Sequence, residues 1–184
     1  MSAVDQLRVL FHHIAGLLVW PVLIGLLGLV GAMLAAAGAF AREAWGRRAG
    51  RRPGLERARR ELERVAGAEA GEGLELRLEE QLQNSEREQW RALGRLRLAV
   101  RVGPSLGLMG TLIPMADALQ GLAEGNLPAL AGNMVTAFAA TVIGLSVSVT
   151  AYLIAAAREN WVRADTQALA FHAERLLLKA GRKE

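Results

Sequence analysis

Two threonines, Thr111 and Thr141, and one carboxylate, Asp117, stand in a stretch that offers almost no other chemistry. From Val102 to Ala157 the chain runs 56 residues with two charged side chains, Asp117 and Glu124, and no Lys or Arg. An ionisable group among apolar residues is costly to keep, which marks Asp117 as a candidate functional residue. Threonine hydroxyls both donate and accept, so Thr111 and Thr141 can contribute to a polar lining. Thr136, Ser146, Ser148 and Thr150 extend the polar set. An isolated Ser or Thr in a membrane helix commonly closes on its own backbone carbonyl. With an Asp beside them, these hydroxyls fit a polar lining equally well, and both readings stand.

Membrane helices must position these groups. The polar break Glu124-Gly125-Asn126 before Pro128 divides the apolar stretch into two segments long enough to span a bilayer. A further run, Val9 to Ala41, has 33 residues without Asp, Glu, Lys or Arg. Three spans are therefore expected, at 14–38, 103–122 and 130–156. The first is expected to be an uncleaved anchor. A signal peptide places its charge before a shorter apolar core, whereas Arg42, Arg47, Arg48, Arg51 and Arg52 follow this one.

Arginine placement predicts orientation. Eight arginines lie between Arg42 and Arg60, and Arg158, Arg163, Arg175, Lys179, Arg182 and Lys183 follow the third span. The link 123–129 carries none. Positive flanks stay in the cytoplasm, so the N-terminus and the link are expected outside, with 42–101 and the tail inside an inner membrane. Four segments follow: 1–41 with the first span, 42–101 cytoplasmic, 102–157 with the second and third spans, and a cytoplasmic helix over 158–184.

In 42–101, 15 Arg face 11 Glu. That interleaving fits a solvated helical surface better than a nucleic-acid footprint. Leu55, Leu62 and Val65 keep helical spacing, as do Leu74, Leu78 and Leu82. Gly67, Gly71 and Gly73 between them predict two helices joined by a flexible turn. Val162, Leu169 and Leu176 recur every seven residues, so the third span is expected to continue and bundle with a helix over 74–101.

Gly103, Gly107, Gly110, Pro114, Ala118 and Gly121 recur at spacings of three and four, and Gly132, Thr136, Ala140, Gly144 and Ser148 every four. Small residues so spaced let membrane helices pack closely. Gly107, Gly110, Pro114, Gly132 and Gly144 are the expected packing positions. No catalytic constellation or cofactor motif is present. The absence of Cys excludes disulfides and thiolate metal sites. His12, His13 and His172 lack ligand spacing, so no metal is expected. Trp20, Trp45, Trp90 and Trp161 read as interface or packing aromatics, with Trp45 and Trp161 just past inner span ends.

Arg101-Val-Gly-Pro-Ser-Leu-Gly-Leu-Met-Gly-Thr-Leu112, with Ala139-Ala-Thr-Val-Ile-Gly-Leu145 about thirty residues later, resembles the MotA/TolQ/ExbB proton channel family. In the ExbB and TolQ branch, Pro-x-Leu-Gly-Leu-x-Gly-Thr-Val opens the second helix and Ala-Thr-x-x-Gly-Leu sits in the third. The resemblance implies an all-α, integral membrane ring, a homopentamer whose second and third helices line a pore. Single membrane helices of a partner of the ExbD, TolR or MotB kind would occupy that pore, with a partner aspartate carrying protons. Carried over, Thr111 and Thr141 are the pore-lining threonines, with Asp117, Thr136 and Ser148 as further candidates on the pathway. Two departures matter. Relatives usually carry glutamate where this chain has Thr136, and Asp117 stands where they often have an uncharged polar residue. Asp117 either replaces that acid or gathers cations at the outer mouth, and the ion is H+ or Na+. The expected function is a pore-forming subunit of an ion-driven motor. A non-conducting scaffold of the same fold and a small channel subunit without a rotary partner are the alternatives.

Overall fold

The computed structural model of the chain describes residues 3–68 and 73–180. Gly71, Arg182 and Lys183, and the side chain of His12, lie outside the described residues. Four α-helices make up the described chain: α1 (Ala3–Arg48), α2 (Pro53–Ala68), α3 (Gly73–Ala123) and α4 (Leu127–Ala180). Three of them, α1, α3 and α4, are long and apolar enough to cross a membrane.

The expected spans 14–38, 103–122 and 130–156 all fall inside longer helices. Arg, Glu, Leu and Ala continue past each apolar boundary, and all four have high helix propensity, so nothing local stops the helix there. Gly67 does not end α2, which runs on to Ala68, and Gly73 is the first residue of α3. One glycine costs a helix roughly 1 kcal/mol. Packing by Leu62, Val65 and Ala66 on the same helix outweighs that.

Helices stop where their backbone groups find other partners. At the α3 end, Asn126 N–H donates to Gly121 O at 2.8 Å and Gly125 N–H to Leu122 O at 3.0 Å. Gly125 has φ of +75°, the left-handed conformation this closure requires. Asn126 Oδ1 then accepts from Ala129 N–H at 3.1 Å, capping α4. The same pair of closing bonds ends α1 at Gly50, φ +76°.

Two compact units form. One comprises Met1–Gly38 and Arg97–Tyr152, and the other Ala39–Leu96 and Leu153–Glu184. In the first, α1 buries Val22, Leu26 and Met33, while Leu17, Trp20, Ile24 and Leu27 remain exposed. Its packing rests on the small residues of α3 and α4, among them the buried Ala118, Ala137, Ala140 and Ala151. In the second, Leu55 and Leu62 of α2, Leu74 and Leu78 of α3, and Leu169 and Ala173 of α4 form one apolar cluster. The heptad seam of α4 thus packs as its spacing predicts, with α2 inserted as a third wall. The tryptophans divide: Trp20 and Trp45 are exposed, Trp90 Nε1 donates to Glu86, and Trp161 stacks on Phe40 with ring centroids 5.2 Å apart.

Candidate functional site

The second and third apolar segments meet along glycine. A Cβ built on Gly144 would lie 2.6 Å from Gly103 O and 2.8 Å from Gly107 Cα. One on Gly107 would lie 3.3 Å from both Ala140 O and Gly144 Cα, and one on Gly110 2.8 Å from Ala140 Cβ. At Gly103, Gly107 and Gly144 backbone faces backbone, while Gly110 meets the Ala140 methyl, and no larger side chain fits between. This close approach explains the spacing of Gly103, Gly107 and Gly110 on one helix and Ala140, Gly144 and Ser148 on the other. Gly132 differs, since nothing lies within 4 Å of a Cβ there. Pro114 is half-buried and sits inside α3. Lacking an N–H, it cannot donate to the carbonyl of Gly110.

The hydroxyls sit at different depths. Thr141 lies beside this seam, its Cα 3.5 Å from the Cβ position of Gly107, and is half-buried. Thr111 is one helical turn along α3 from Gly107, also half-buried, and donates to its own Leu108 O at 2.7 Å. Thr136 is exposed and donates to Gly132 O at 3.2 Å. Thr150 donates to Ser146 O at 2.8 Å. Thr111, Thr136 and Thr150 therefore close on their own helices, as isolated threonines do. Ser148 does not: it is buried and donates across to Val100 O at 2.8 Å.

Asp117 is exposed. Six residues at 3.6 per turn place it roughly 9 Å further along α3 than Thr111 and about 120° around the axis. The carboxylate and the two threonines thus do not share one helical face. Glu124, at the end of the segment, accepts from Gln120 Nε2 at 3.3 Å.

A second polar constellation lies in the unit of Ala39–Leu96 and Leu153–Glu184, the charged unit of the chain, and no sequence motif marks it. Asp165 is 3% exposed. Arg47 Nη2 donates to its Oδ2 at 2.6 Å and Nη1 to its Oδ1 at 3.3 Å. Arg52 approaches at 3.6 Å. The Arg47 guanidinium also lies 4.7 Å from the centroid of the Trp161 ring, and Arg158 pairs with Glu43 at 2.9 Å. One sequence signal was available. Asp165 falls three residues after Val162 and four before Leu169, on the buried seam itself, where only a partnered acid is tolerated. Among the described residues, no three His, Cys, Asp or Glu converge as a metal site.

Comparison with known proteins adds the family. Residues 51–170 match the MotA/TolQ/ExbB proton channel family. The match extends well beyond the two motifs, taking in α2, all of α3 and most of α4. Neither the curated proteins nor the solved structures yield a match. The family is one of membrane channels rather than enzymes. With more than half its length matched and three helices able to cross a bilayer, the chain is a multi-pass membrane protein belonging to the MotA/TolQ/ExbB proton channel family.

Proposed function

We propose that the protein is the pore-forming subunit of an ion-driven motor, assembling as a ring of five copies around the membrane helices of a single-span partner that carries an aspartate. The observation that carries this reading is the pair Thr111 and Thr141. They occupy the threonine positions of the family motifs, and neither is sealed into the chain's own core. The flanking surface supports assembly, because Leu108, Leu112, Val135, Phe138, Val142 and Leu145 are all exposed in the single chain. Such a surface needs lipid or further copies to cover it. In this ring Thr111 and Thr141 face the partner's carboxyl, while Asp117 gathers cations at the outer mouth. Its position on α3, turned away from Thr111, favours the mouth over direct relay. Thr136 stays on the pathway as a neutral polar group. Ser148 is assigned instead to holding the two helices together, since its hydroxyl is spent on Val100.

Proton flux into liposomes holding the protein and its partner tests the reading. The Thr111→Val, Thr141→Val double variant keeps the side-chain shape and removes both hydroxyls, so it should assemble yet lose flux. Asp117→Asn should reduce flux only partly. Unchanged flux in the double variant would remove the pore-lining assignment. The second reading, a non-conducting scaffold, draws on Thr136 standing where relatives usually carry glutamate, and flux absent from the unmodified complex would favour it.

A further inference from the structure

The charged unit contains a cleft of about 850 Å³ that no part of the proposed ion pathway uses. The end of α1, the start of α2, residues 81–93 of α3 and the segment of α4 around Trp161 line it, and it opens to solvent with Arg42, Arg51 and Arg57 exposed. Five arginines line it, and two already have carboxylate partners: Arg47 on Asp165 and Arg158 on Glu43. The other three, Arg42, Arg51 and Arg57, make no ion pair among the described residues. Arg158 keeps its buried Nε–H without an acceptor. Of the acids on the wall, Glu61 is taken by Arg64, leaving Glu88 against three unpaired guanidinium groups. Asn84 and Ser85 add neutral polar groups from α3.

We propose that this cleft binds a phosphate-bearing anion, with Arg42, Arg51 and Arg57 as its charged contacts. Guanidinium forks match phosphate oxygens two at a time, and with Glu43, Glu61 and Asp165 paired elsewhere only Glu88 competes for them. The volume lies within the range of sites for whole small molecules, so a phosphate ester fits better than a bare phosphate ion. Two sources share that chemistry. Arg42 is the first charged residue after the apolar run that ends at Ala41, which favours a phospholipid headgroup. A soluble phosphate ester would meet the same three side chains.

The full chain in a neutral detergent is titrated with dihexanoyl phosphatidylglycerol, dihexanoyl phosphatidylcholine or glycerol 3-phosphate, and thermal midpoint and tryptophan fluorescence are read. Stabilisation by phosphatidylglycerol alone identifies a lipid site. Stabilisation by glycerol 3-phosphate as well identifies a site for the phosphate ester itself. In either case Arg42→Gln, Arg51→Gln, Arg57→Gln should weaken binding at least about tenfold without changing the helical spectrum, since none of the three is in an ion pair. Asn84→Glu, which adds a further carboxylate to the wall, should do the same. Equal effects of phosphatidylcholine and phosphatidylglycerol, no effect of any ligand, or full affinity in both variants would overturn the proposal.

Discussion

Ser148 donates its hydroxyl to the carbonyl of Val100, 48 residues away, at 2.8 Å. That carbonyl is the one whose helical donor is missing, because position 104 is proline and has no N–H. The serine replaces a bond that the α3 backbone cannot make for itself. Proline inside a membrane helix is tolerated when a neighbour supplies such a partner.

A double-mutant cycle tests this pairing. Ser148→Ala should destabilise the protein by about 1 kcal/mol, in line with hydrogen bonds between membrane helices. Pro104→Ala restores the N–H, so Ser148→Ala made in that background should cost much less. Unfolding in mixed micelles measures all four proteins. Equal costs in both backgrounds would separate Ser148 from Pro104.

The glycines divide by contact. Gly144→Leu has no room, with Gly103 O and Gly107 Cα under 3 Å from the first added atom, both of them backbone. It should separate α3 from α4 and lower stability by at least about 1–3 kcal/mol. Gly132→Leu meets nothing within the chain and should leave the folded subunit intact. Native mass spectrometry in mild detergent then reads assembly. A Gly132→Leu variant that folds but falls to monomers would put Gly132 at a contact between copies, and a stable monomer from the unmodified protein would remove the ring.

Asp165→Asn should be the most damaging single exchange in the charged unit. Arg47 would remain partly buried with only Glu43, 3.5 Å from its Nε, as carboxylate partner, so the loss approaches the roughly 3–5 kcal/mol of a broken buried pair. At this chain length that corresponds to a drop of roughly 10 °C in thermal midpoint. Glu63→Gln, across from His172 at the exposed surface, should change the midpoint by little. Thermal unfolding followed by circular dichroism compares them, and similar midpoints for Asp165→Asn and the unmodified protein would show that the pair contributes nothing.

Orientation is open to labelling, and the chain has no native cysteine to interfere. Glu124→Cys and Arg59→Cys both place a thiol at an exposed position. With the link outside and the arginine-rich segment inside, an impermeant thiol reagent applied to intact cells should modify the first and not the second. The reverse pattern would invert the topology drawn from the arginines.

Sequence by itself determined the three long apolar helices and the turn between the last two. Each depends on short-range properties: runs without charge, helix propensity, and the Gly125-Asn126 pair that ends one helix and caps the next. The glycine and alanine stripes were legible for the same reason, because a helix turns i and i+4 to one side whatever its surroundings. The family motifs around Thr111 and Thr141 were legible as strings. Tertiary structure alone decided what those stripes meet. Gly107 and Gly144 face each other's backbone while Gly132 faces open space, though Gly132 and Gly144 belong to the same every-fourth series. It also decided that Asp165 pairs with Arg47, 118 positions earlier, and that Ser148 serves Val100 rather than its own helix. Periodicity reports the face on which a side chain lies. The partner across that face comes from a distant part of the chain, and only folding brings it there.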